Sequence, residues 1–181
     1  MTQSQIIRSP RFSPSNRFLR CERGSQAIEF ALVAPVVVAL LLATLQVAVI
    51  FLAKAYLETV TEAAARSVMT NQDNAMTQAQ FQAQICQDIG ALFNCANLIV
   101  ELEPAPSTAA QMSTAMPQFT ATGALTNPTS FSIAPAPAKM MLIVMYQWPV
   151  YGGPLGLNFA NLANGTLLMT STQIFQIEPA S

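Results

Sequence analysis

The chain has no histidine, and only 9% of its residues are charged, against about 25% in ordinary soluble domains. Without imidazole it lacks the commonest general base and metal ligand, which weighs against hydrolytic and zinc chemistry. Cysteine is scarce at three, and two exported thiols with no histidine cannot fill a tetrahedral metal shell. The sequence has no Gly-rich phosphate loop and no Ser–His or Cys–His pair. Glu101 and Glu103 fall on one face of a strand-like segment, and two carboxylates on a solvated strand face are expected to be only that. The reading is therefore a protein that is not an enzyme and takes no cofactor and no metal.

What the chain has instead is apolar surface, with 52% hydrophobic residues, and a lopsided charge distribution. Residues 1–24 hold five arginines against Glu22 alone, a net charge of +4, while the remainder carries three basic and eight acidic residues, a net of −5. A basic arm can bind nucleic acid. This one abuts an apolar run and the rest of the chain is acidic, so no nucleic-acid partner is expected. Residues 30–53, "FALVAPVVVALLLATLQVAVIFLA", form a run of 24 residues without a charge. At about 1.5 Å per residue the run covers roughly 36 Å, enough for a hydrocarbon core of about 30 Å. It exceeds the roughly 7–15 apolar residues of a secretory signal peptide. "ATLQVA" is a faint small-residue pattern that keeps cleavage after the segment as an alternative. With arginines on one flank, the positive-inside rule predicts a cytoplasmic N-terminus and an exported C-terminal part. Pro35 lies inside this run and removes the N–H that would reach the Ala31 carbonyl, so a kink is expected there.

Glu29 raises the main question. An ionised acid near the bilayer centre costs about 2.5–3.5 kcal/mol, and less toward the interface, so such acids are functional candidates. Gly24 stands five residues before it, after the arginine-rich leader. Cleavage between Gly24 and Ser25 would create an α-amino group one helical turn from Glu29. That amine titrates near pH 8 and is mostly cationic at neutral pH. Amine and carboxylate could then neutralise each other where lipid makes an unpaired charge expensive.

The stretch "RGSQAIEFALVAPVVVALLLATLQVAVIFLAKAYLETVTEAAARSV" resembles the TadE-like proteins of the tight-adherence pilus system. Those share a basic leader, a glycine, four residues, Glu-Phe, "ALVAP", a membrane helix and an Ala-rich extension. The resemblance implies that a prepilin peptidase cuts after Gly24, with Ser25 as the mature N-terminus and Glu29 and Phe30 as the assembly residues. It also implies a pilin-like or pseudopilin part of a type IV (type IVc) pilus and secretion machine. Its partners would be the inner membrane, the prepilin peptidase, other pilins and the assembly platform. Weaker likeness recurs in "YQWPVYG" and "NLANGTLLMTSTQIFQIEP". The chain departs from the family pattern with "ERG" in place of a paired arginine, Gln46 in place of a helix acid, and "FQIEP" in place of "FRNEP".

Beyond residue 53 the sequence predicts an exported domain, 54–181, helical over 54–93 and mostly stranded over 98–181. "AYLETVTEAAARSVMT" continues the first helix, with Glu62 and Arg66 at a favourable i,i+4 spacing. Tyr56, Val60, Ala63 and Ser67, together with Leu57, Ala64 and Val68, offer its weakly apolar side. A second helix fits 75–90, capped by Asp73 or Asn74 and weakened or ended by Gly90. On it Phe81, Ile85, Ile89 and Leu92 share one face. Cys86 and Cys95 are disulfide candidates in an oxidising compartment, with two buried thiols as the alternative.

"LIVEL" at 98–102 reads as a strand. Residues 104–138 carry no charge and are rich in Pro, Ala, Ser and Thr, which suggests a long flexible loop with room for a short strand near Phe131. Residues 139–151 are too short to cross a membrane as a helix and read as a strand. A short helix over 155–163 and an Asn164–Gly165 turn precede the last strand. Trp148 and Tyr151, near the Gly-rich turn, are candidates for a partner face or simple core. The expected fold is α+β: a long N-terminal transmembrane helix (25–53) after a cytoplasmic leader (1–24), extending into a pilin-like domain with a second helix and a small antiparallel sheet. A minor pilin or pseudopilin is the leading function. An uncleaved inner-membrane-anchored periplasmic scaffolding or binding protein is the alternative.

Overall fold

The computed structural model describes residues 23–70, 76–89, 92–108, 111, 116–120, 122–150, 152 and 156–179. Residues 1–22 of the basic leader, with Cys21, the proposed caps Asp73 and Asn74, and Gly90 and Tyr151 lie outside the described residues. The chain divides into two units, Met1–Leu41 and Leu42–Ser181. Helix α1, Arg23–Met69, runs for 47 residues and passes through both. It is long and apolar enough to cross a membrane over Gln26–Met69. The second unit adds helix α2, Gln78–Ile89, and strands β1 (Leu98–Pro104), β2 (Lys139–Pro149) and β3 (Thr166–Gln176). All pairing is antiparallel, in the order β1-β2-β3. The fold is α+β, with a long apolar helix, a second helix and a three-stranded sheet.

The main core lies between the two helices and one face of the sheet. From α1 come Ala53, Leu57, Val60, Ala65 and Val68, spaced as one face of a 3.6-residue helix requires. Tyr56 and Ala63 do not share it: both are exposed, and the Tyr56 hydroxyl donates to the Asp88 carbonyl at 2.7 Å instead. Thr61 is fully buried and is satisfied by donating its hydroxyl to the Leu57 carbonyl at 2.7 Å. From α2 come Phe81, Ile85 and Ile89, and from the sheet Val100, Leu102, Leu142, Val144 and Tyr146. Leu92 is not on that face. Leu92 lies in a turn and is 44% exposed, and the next residue, Phe93, takes the core position.

Strand β2 is buried from Met140 to Tyr146, which is why its sequence is continuously apolar rather than alternating. Its second face, Met141, Ile143 and Met145, is covered by Ile99, Ala105, Phe119 and Leu168. Phe119 belongs to 104–138, expected as a flexible loop. The described part of that segment packs on the sheet because it carries apolar side chains and backbone partners of its own. Around Gly123 (φ +80°) it turns back on itself, pairing Phe119 with Leu125. Further on, the Leu102 amide donates to the Ser130 carbonyl (3.0 Å) and the Ser132 amide to the Leu102 carbonyl (2.8 Å), a short parallel bridge at Phe131 that covers the β1 edge.

The sheet has strands of 7, 11 and 11 residues. The helix expected over 155–163 is not formed over 157–163. Gly156 has φ +76°, and the Asn161 side chain accepts from the Leu168 amide (2.7 Å) and donates to the Leu168 carbonyl (3.3 Å), an alternative to helical bonding. The turn at Asn164–Gly165 forms, with φ +80° at Gly165, and leads directly into β3. That strand then pairs with β2 through eleven consecutive positions without a bulge.

Candidate functional site

The first turns of α1 hold most of the residues singled out from the sequence. The Gly24–Ser25 peptide bond lies within the described part of α1. Glu29 stands four residues beyond Ser25, on the same side and about 6 Å along the axis. It is exposed, as is Phe30 at 75%. Ile28, Leu32, Val33, Val36, Leu40 and Leu41 are exposed in the same way, a stretch of helix clothed in apolar side chains on every side.

Among the described residues Glu29 makes no ion pair. The described pairs are Lys54–Glu58 at 3.9 Å and Glu62–Arg66 at 3.7 Å, both exposed i,i+4 pairs beyond the uncharged run. Such pairs contribute only a few tenths of a kcal/mol each. They mark where the outer face of α1 turns from apolar to charged. Pro35 lies within α1, which continues through it.

Cys86, in the last turn of α2, and Cys95, at the start of a 3-10 turn (Cys95–Asn97), form a disulfide with Cα atoms 5.7 Å apart. Such a separation is usual for bridged cysteines. The bridge ties the end of α2 to the residues that lead into β1.

Three polar features escaped the sequence reading. Thr77 and Gln80 form a capping box at the start of α2: the Thr77 amide donates to Gln80 Oε1 at 2.9 Å, and the Gln80 amide donates to Thr77 Oγ1 at 3.4 Å. The Thr-x-x-Gln pattern is present at 77–80, just beyond the expected caps Asp73 and Asn74. Gln78 then donates to the Val100 carbonyl and to Thr129 Oγ1, both at 3.0 Å, joining α2, β1 and the long connection.

Glu101 is the third. It was expected on a solvated face, but it is 3% exposed beneath that connection. Ser130 donates to it from both amide and hydroxyl at 3.4 Å, and the same hydroxyl reaches Glu103 Oε2 at 3.0 Å. Burial pushes the Glu101 carboxyl above its ordinary range; the Ser130 amide works against this and the neighbouring charge of Glu103 adds to it. Trp148 is half-buried and packs edge-on against Phe93 (centroids 5.7 Å) and Tyr146 (6.1 Å).

Residues 24–66 match the family model described as TadE-like protein. The matched segment contains Gly24, Ser25, Glu29, Phe30 and Pro35 and ends inside α1. No curated protein and no solved structure gives a match.

Proposed function

From the TadE-like character of residues 24–66, we propose that this chain is a minor pilin or pseudopilin of the tight-adherence pilus machine, anchored in the inner membrane by α1. A prepilin peptidase removes the leader between Gly24 and Ser25, and the new amine pairs with Glu29 of the same or a neighbouring stem. The exported domain contacts other pilins or the assembly platform. The role is structural rather than catalytic. The observation that carries this reading is one helix combining the Gly24–Ser25 bond, an acid one turn further on, and an exposed apolar surface beyond it.

Before cleavage Glu29 faces lipid without its amine; afterwards a cation sits one turn away. N-terminal sequencing of protein from its own host should read from Ser25. Gly24→Ala and Glu29→Ala should each abolish piliation while leaving the protein in the membrane. An intact leader in peptidase-competent cells, or normal surface pili in both variants, refutes the mechanism.

A further inference from the structure

The uncharged run of α1 continues past the point where the domain begins to pack on it. Over residues 42–53 the helix has two different sides. On one side Leu45, Phe51 and Leu52 are exposed, at 64%, 67% and 61%. Ala43 and Ala53 are buried, and Ile50 packs against the main core. On this inner side Leu42, Gln46, Val49 and Ile50 meet Trp148, Pro149 and Gly152 around an open groove of about 370 Å³. The end of β2 therefore lies level with exposed apolar residues of the helix.

Where the bilayer surface falls decides what the groove faces. A surface just below the groove, at Leu42, would leave only the 13 uncharged residues 30–42 for the hydrocarbon core, about 20 Å of helix where about 30 Å is needed. Counting from Gln26 gives 17 residues and about 25 Å, still short. It would also leave Leu45, Val49, Phe51 and Leu52 in water. A surface at the first charges, Lys54 and Glu58, restores the full length and places the groove within the membrane boundary. The domain's own composition agrees, since residues 140–177 contain no charged side chain. Leu157, in the same β2–β3 connection as Gly152, is a further exposed apolar residue at 42%.

We propose that the end of the domain formed by Trp148, Pro149 and Gly152 is seated in the lipid interface, with the glycerol and upper acyl-chain region of a phospholipid filling the groove against Leu42 and Val49. Trp148 acts there as an interfacial anchor: its ring has an apolar body and one N–H, the combination that favours the headgroup boundary. Phe93 and Tyr146 hold the ring from the domain side. The inference rests on the reading of α1 as a membrane span, and goes beyond it in assigning a second, peripheral membrane contact to the folded domain.

Trp148 is the only tryptophan, so its emission reports this contact directly. The full chain is reconstituted in phosphatidylcholine–phosphatidylglycerol vesicles containing phospholipids brominated either high or low on the acyl chain, and each preparation is floated on a density gradient. In floated protein the high-brominated lipid should quench Trp148 at least twofold more than the low-brominated lipid, and acrylamide quenching should fall relative to detergent-solubilised protein. Trp148→Phe should abolish the signal. Floated protein that neither lipid quenches, or that is quenched more by the deeper label, overturns the interfacial seat while leaving the span intact. Protein that fails to float overturns the span and this inference with it.

Discussion

Breaking the Cys86–Cys95 bridge should weaken the domain by an amount that loop length sets. The bridge joins residues nine apart, and closing a loop of about ten residues corresponds to roughly 2.7 kcal/mol in the chain-entropy account. Its position makes most of that effect felt. Helix α2 has only 12 residues, too few to be stable alone, and it docks through Phe81, Ile85 and Ile89. The bridge fixes its last turn against the residues that lead to buried Leu98 and Phe93. Urea unfolding of the full chain in mild detergent, followed by far-ultraviolet circular dichroism and by Trp148 emission, tests this. Trp148 touches Phe93, two residues before Cys95, so its fluorescence reports the tethered region. With a slope of about 2 kcal/mol per molar urea, reduction or the Cys86→Ser/Cys95→Ser double variant should lower the midpoint by about 1.3 M. Coincident curves for oxidised and reduced protein would refute the argument. So would peptide mapping that found both thiols free in exported protein.

Two further perturbations follow from the packing. Because burial raises the folded-state pKa of Glu101, the native state binds that proton more tightly than the unfolded chain, and the contribution to stability is present at low pH and lost as pH rises from about 4.5 through the raised value. Glu101→Gln should remove that slope, so melting curves of variant and parent should diverge across this window; parallel curves would show that the carboxyl is not responsible. Leu57→Ala removes a side chain of α1 that is 1% exposed in the main core. It should cost about 2–5 kcal/mol in urea unfolding, and a loss under 1 kcal/mol would mean that the stem is not anchored there.

Much of this architecture could be read from local pattern. The uncharged run announces α1. The continuous apolar stretch at 140–146 fits a strand buried on both faces, as β2 is. What escaped depends on residues far apart in the chain. Glu101 looks solvated because nothing nearby covers it; Ser130, which does, is 29 residues away. Leu92 extends an i+11 pattern correctly, but the pattern presumes that the helix reaches residue 92, whereas Leu92 lies in a turn and burial shifts to Phe93. At 155–163 the side-chain bonds of Asn161 to Leu168 favour a strand-flanking loop over a helical turn, a competition decided only once β3 is in place.

The division of labour along α1 bears on how such a subunit would leave the bilayer. Its inner face is continuous, from Ala43 through Ala53 and Leu57 to Val68, and stays with the domain throughout. Its outer face changes character between Leu52 and Lys54. In a filament, neighbouring stems would replace lipid around Leu32, Leu40 and Leu45. Lipid tails are about as apolar as leucine, so that exchange has no large hydrophobic gain to drive it. Glu29 differs, because on the proposed function its environment would change with cleavage. Unpaired near the bilayer centre, such an acid costs about 2.5–3.5 kcal/mol, up to several hundredfold in an equilibrium, and less near the interface. Paired with the new amine of a neighbouring stem, the charge is compensated in the assembly and exposed in the isolated subunit. On the proposed function, the discrimination between stored and assembled protein therefore resides in one carboxylate and one scissile bond, while the many exposed leucines and valines leave the subunit equally soluble in either surrounding.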